Sequence, residues 1–254
     1  MTAGLDLISR AARLGISTRE YVALAEIDWR IVAHPGLSSS ATAARLVRWL
    51  RAGSPVPNPA RLQFRGCDSV RALLLEVIRA VPTPVAWHAV EHVTWIEVGS
   101  SALGWAGAAP SPRAPDDDQG HMIAISGHTR PKEIELTGLT AREFLAGVIA
   151  HELGHSWSRE IVGVHPAAVC PSARESVERH IVIGQVLGES LQQLIASRVA
   201  DERLADQLAT LWGFARSTDE LSLRRHLAGE YEAAAEDLAV DRIAAIAAVN
   251  EGAS

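Results

Sequence analysis

A chain of 254 residues, 48% hydrophobic and 21% charged, has room for one substantial domain with a helical appendage and the balance of an ordinary globular protein. Its formal charge of −6 is uneven: residues 1–66 carry 9 Arg against 4 acids and the remainder is acidic, an excess too small to indicate nucleic acid as a partner. No apolar stretch approaches the roughly 20 residues of a membrane span, Asp6 and Arg10 interrupt any signal-peptide core, and Cys67 and Cys170 lack metal-ligand spacing. The cysteines read as free buried thiols in a reducing compartment, so a cytoplasmic location is expected.

Residues 1–52 read as an N-terminal helical segment. Leu5, Leu7, Ile8, Ala12 and Leu14 suggest a first helix ended by Gly15. Ser17 and Glu20 form a capping box for a second, which carries Tyr21, Leu24, Ile27, Trp29 and Ile31 and stops near Pro35. Ser38 to Ser40 can cap a third, with Leu46, Val47, Trp49 and Leu50 as its apolar positions. Three such helices suit packing, or docking to a protein partner, better than DNA reading. Pro55, Pro57 and Pro59 mark a linker, and residues 66–254 follow as the second domain.

In that domain Val70, Leu73, Leu74, Val77 and Ile78 give helical periodicity from Asp68 to Ala80, ended by Pro82. His92 to Val98 alternates as a strand, with Ala102 to Ala106 as its expected partner, and His121 to Ser126 is another short strand. Between them lies a solvated loop containing Asp116, Asp117 and Asp118. Two long helices are expected in the C-terminal part, from Ser176 to Leu211 and from Asp219 to Val249.

The chemistry is concentrated on the helix opened by the capping box Thr140-Ala141-Arg142-Glu143. It carries His151-Glu152-Leu153-Gly154-His155. Residues four apart lie about 40° apart around a helix, so the two imidazoles share a face and can grip one zinc. Glu152, about 100° from His151, can reach a water beside the metal and take its proton as the oxygen attacks a carbonyl. Gly147 and Gly154 flank the histidines and leave room for another element. Retention of Glu152 favours catalysis, because a structural zinc does not need that carboxylate.

A catalytic zinc site takes a third protein ligand. Ile161 stands where the metzincin pattern requires histidine, and His165 is too far along to fit. Glu189, with His155-Ser156-Trp157, is similar to the pattern of aminopeptidase N-like gluzincins, but on a helix through Ser176 to Leu211 it falls opposite the apolar stripe. Residues 232–240 and 139–155 resemble HtpX-like zinc endopeptidases, whose E-x-x-A-D-x-L-A-V stretch is matched by Glu232-Ala233-Ala234-Ala235-Glu236-Asp237-Leu238-Ala239-Val240 except that Glu236 replaces the aspartate.

The resemblance implies Glu232 as third ligand and Glu236 as the acid that orients a ligating histidine. Glu232 falls within an apolar arc of Leu221, Leu227, Tyr231, Leu238, Ile243 and Ile246, whereas Asp237 and Glu230 carry similar spacings and stay open as alternatives beside Glu189. The resemblance further implies an α+β, mainly helical zincin-like fold with a small sheet, and a Zn2+-dependent metallopeptidase acting on peptide bonds. The alternatives are a zincin scaffold turned binding or regulatory protein and a zinc hydrolase of a small non-peptide amide. His226 and Tyr231 flank Glu232 and are candidates to steady an oxyanion. His180 reads as a core histidine, and Trp95 and Trp105 as core residues more than as a substrate groove.

Overall fold

A computed structural model describes residues 12, 17–19, 22, 39–99, 104–108, 121–126, 138–158, 173–214 and 220–252. Most of the first two expected helices, the acidic loop at 116–118, His165 and Cys170 lie outside the described residues. The elements are α1 (Ser39–Arg51), a 3-10 turn (Pro59–Arg61), β1 (Gln63–Arg65), α2 (Asp68–Ala80), α3 (Thr83–Glu91), β2 (Val93–Val98), β3 (Gly104–Ala108), β4 (His121–Ser126), α4 (Ala141–Ser158), α5 (Ala173–Leu187), α6 (Leu191–Leu211) and α7 (Glu220–Gly252). The class is α+β, mostly helical with one small sheet.

The sheet runs in the order β1-β2-β4-β3. The strands β1, β2 and β4 are parallel, in register Phe64↔Trp95↔Ile123, and β3 pairs antiparallel with β4. The expected neighbour of β2 was β3, but β4 takes that place. All six residues of β4 are buried, as expected of a central strand covered on both faces.

Helix α3 was not anticipated, because Pro82 read as a stop. Proline is tolerated in the first helical turn, where its missing N–H has no intrahelical partner, so the helix restarts at Thr83. The stretch from Ser176 to Leu211 is likewise two helices rather than one. Gly188 adopts φ +71°, Glu189 N–H donates to Gly184 O at 2.7 Å to close α5, and Ser190 with Gln193 forms a capping box that opens α6.

Two compact units result, one of residues 1–169 with 204–217 and the other of residues 170–203 with 218–254. Helix α6 runs unbroken through both assignments. The first unit has a continuous core in which Leu46 and Val47 of α1, Leu74 and Val77 of α2, Val85 and Ala89 of α3, Trp95, Ile123 and Ile125 of the sheet, Ile149, Leu153 and Trp157 of α4, and Leu208 of α6 pack together. Trp95 is fully buried and donates its indole N–H to Ala89 O at 2.9 Å, which fits the core role read for it. The second unit has a smaller core of Val177, Ile181, Leu194, Val199, Leu227, Tyr231 and Ala234. Among the described residues no helix is long and apolar enough to cross a membrane. Cys67 is a free thiol as expected, but it is exposed, at the N-terminus of α2.

Candidate metal centre

The box that opens α4 forms as its sequence dictates. Thr140 N–H and Oγ1 donate to Glu143 Oε2 at 2.8 and 2.7 Å, and Glu143 N–H returns to Thr140 Oγ1 at 3.2 Å. Those bonds, the backbone one first, hold the Glu143 carboxyl below its ordinary range. The helix then enters the interior, and every residue from Ala146 to Ser158 is buried. It packs against α1, α2, α3, β3 and β4. Burying two histidines and a glutamate in one helical turn is costly unless their polar atoms are partnered, and for His151 the partner is specific.

His151 is 1% exposed, and its Nδ1–H donates to Asp206 Oδ1 of α6 at 2.7 Å. A carboxylate accepts only, so Nδ1 carries a proton, and in the neutral ring the lone pair is then on Nε2. That Nε2 lies 3.1 Å from His155 Nε2, with the rings at 89° to each other. Two imidazole nitrogens on one tetrahedral zinc, each about 2.05 Å from it, stand about 3.3 Å apart. The spacing of the two ring nitrogens matches that edge.

A group that could hold a metal ion adds Glu202 to them. One ligand atom each of His151, His155 and Glu202 lie within 4.8 Å of one another. Glu202 precedes Asp206 by one turn on α6, so the unbroken helix that sets Asp206 against His151 carries Glu202 with it. Arg198, one turn earlier again, reaches Glu202 Oε1 at 2.7 Å.

This close approach of α6 to α4 depends on Gly154. A Cβ there would meet Ala205 O at 3.0 Å and Ala205 Cα at 3.1 Å, backbone atoms of a helix fixed by the Asp206 contact. Gly154→Ala gains about 1 kcal/mol in helix propensity and loses about 1–3 kcal/mol by overpacking. The expected result is a lower urea midpoint for the metal-free protein, and an unchanged or raised midpoint would show that α6 yields freely.

The expected ligand Glu232 is not part of the converging group. The buried stripe of α7 runs through Leu227, Tyr231 and Ala234, and Glu232, about 100° around from Tyr231, is exposed, as is Glu236. The arc read from sequence was too broad, since Ile243 and Ile246 are exposed at 68% and 62%. Glu189 is exposed in the turn between α5 and α6, Glu230 pairs with His226 at 2.9 Å, and Asp237 is half-buried on α7. Tyr231 is 1% exposed in the second core, where burial raises its phenol above the ordinary range. His180 is half-buried, and the side chain of Trp105 lies outside the described residues.

Glu202 and Asp206 were missed although a signal exists. Glu202-Arg203-Leu204-Ala205-Asp206-Gln207-Leu208-Ala209 repeats E-x-x-A-D-x-L-A with the aspartate that the 232–240 stretch lacks.

A second buried polar cluster borders the end of α4. His88 of α3, 1% exposed, has Nε2 3.0 Å from Ser156 Oγ, and its ring meets those of His92, His121 and Trp157. Burial first, then the Arg45 charge and the neighbouring His121, His92 and Arg48, hold its pKa well below 6.5. The unfolded chain therefore binds a proton near pH 6.5 that the folded chain refuses, and stability falls as pH drops through that value. Urea midpoints measured from about pH 7 to about pH 5 should decline for the wild type and decline less for His88→Asn. Equal slopes would remove His88 as the cause.

Comparison of the chain with protein-family models, with curated proteins and with solved structures finds no match.

Proposed function

We propose that the chain is a zincin-like, zinc-dependent hydrolase of peptide bonds that holds its metal with His151, His155 and Glu202. The observation that carries the reading is the 3.1 Å approach of the two histidine Nε2 atoms while His151 Nδ1 is engaged by Asp206. That is the donor set of a gluzincin-type centre: two neutral imidazoles, one carboxylate and an outer carboxylate that fixes a tautomer. When bound, zinc supplies Lewis acidity toward a carbonyl and lowers the pKa of water toward about 7.

The remaining work falls to the chain. Glu152, 6% exposed and next to His151 on the same helix, accepts the proton of the attacking water and returns it to the leaving amine. Asp206 keeps the His151 lone pair on Nε2 and its ring in one orientation. The exposed, free Cys67 thiol suits a reducing compartment, which favours a cytoplasmic setting and an intracellular substrate.

The test is metal analysis of the purified chain joined to cleavage of an unbiased peptide library. One zinc per chain and cleavage abolished by a chelator and restored by zinc are expected. Failure to take up zinc ends the metal reading, and zinc uptake without any cleavage ends the peptidase reading.

A further inference from the structure

We propose, on the basis of the zinc-site reading above, that Arg198 is a positioning residue for Glu202, holding the carboxylate of the third ligand in place before a metal arrives. Both residues lie on α6, one helical turn apart, so their side chains leave the same face. Arg198 Nη2–H donates to Glu202 Oε1 at 2.7 Å, and Arg198 Nη1 stands 3.6 Å from Asp201 Oδ2. The side chains of Arg198 and Glu202 are 19% and 14% exposed, so the pair is largely out of water.

Stability of the helix alone does not account for this pair. An acid four residues before a base supports a helix better than the reverse order, which suits the helix dipole less well, and here the base comes first. An ion pair withdrawn from solvent gives back in desolvation much of what it gains in attraction, and an apolar pair of similar volume often does as well. Arg198 also has a neighbour beyond its own helix. Burial raises the Tyr231 phenol of α7, and the Arg198 charge opposes that rise.

A glutamate side chain is among the more flexible, and its freedom is lost when it ligates a metal. The guanidinium at Oε1 removes part of that freedom beforehand. The contact is compatible with ligation, because a carboxylate offers about four acceptor sites on its two oxygens. Charge gives a second reason. The proposed centre uses three carboxylates, Glu202 as a ligand, Asp206 behind His151 and Glu152 as the base. A divalent ion offsets two of those charges, and Arg198 supplies the cation for the remaining one. Repulsion between guanidinium and metal is thus met by a surplus of negative charge.

The test uses the full chain as wild type, Arg198→Met, Arg198→Lys, Glu202→Ala and the double variant Arg198→Met with Glu202→Ala. Zinc affinity is read by competition with a chromophoric chelator. Arg198→Met is expected to weaken binding about tenfold, and Arg198→Lys, which keeps the charge but not the planar fork, to recover part of that loss. In the Glu202→Ala background Arg198→Met should cause no further loss, because the group it positions is gone. An equal loss in both backgrounds would mean that Arg198 acts on the fold at large, and would overturn the role. Unchanged or tighter binding by Arg198→Met overturns it too, the latter by showing that the cation competes with the metal.

Should Arg198→Met not fold, Arg198→Gln, a neutral polar side chain at the same position, is judged by the same criteria in both backgrounds. Wild-type protein that takes up no zinc ends the metal reading, and the positioning role with it. Zinc uptake by the wild type with indifferent Arg198 variants ends the positioning role alone.

Discussion

Glu202→Gln is expected to weaken zinc binding by more than about 100-fold, while Glu232→Gln leaves it unchanged. The contrast follows from placement. Glu202 offers an oxygen within 4.8 Å of a ring nitrogen of each histidine, and Glu232 is exposed on α7. Glutamine keeps the volume and one acceptor but removes the charge that makes carboxylate a good ligand, and outer-sphere changes alone already cost about 10–100-fold in comparable sites.

Asp206→Asn belongs to that milder class. It keeps the contact to His151 in shape but replaces a charged acceptor by a neutral one, so a loss of about 10–100-fold is expected. Competition titrations with a chelator rank the three variants. An unaltered affinity in Glu202→Gln together with a loss in Glu232→Gln would return the third ligand to α7.

The part of the site legible in the sequence was the part held by local geometry. The capping box at Thr140 and the histidines at spacing four required only the helical period, and the structure places them accordingly. The third ligand depends on which distant helix crosses α4, and spacing along the chain does not encode that. After the motif helix four E-x-x-A segments, beginning at Glu202, Glu230, Glu232 and Glu236, compete on pattern alone. Only the first has aspartate at the fifth position, and only there does the partner make sense, because the helix must approach at a glycine. Gly154 supplies the gap and Ala205 fills it, so the E-x-x-A alanine is a packing requirement between α6 and α4.

The same limit governs the sheet. Each strand was readable from its own run, yet the insertion of β4 between β2 and β3 is a long-range choice. Reading the segment through Gly188 as one helix had a cost of its own. It assigned Glu189 to a face of a helix that ends just before it, and drew attention away from the residues about three and four turns into α6.

The second large effect concerns rate and leaves binding intact. Glu152→Gln is expected to lower kcat/KM on any cleaved peptide by about 10²–10⁴-fold, equivalent to about 3–5 kcal/mol of transition-state stabilisation. Zinc content should stay at the wild-type level, because Glu152 is not among the three residues whose ligand atoms converge. The fold should be retained as well: glutamine matches glutamate in volume, and a neutral amide at a site only 6% exposed is no harder to bury than a carboxylate. What disappears is the capacity to take a proton from water and hand it to the leaving nitrogen. A variant that keeps zinc, melts like the wild type and still cleaves at the wild-type rate would place the base elsewhere. Loss of both zinc and activity would instead mean that Glu152 shapes the centre rather than serving it.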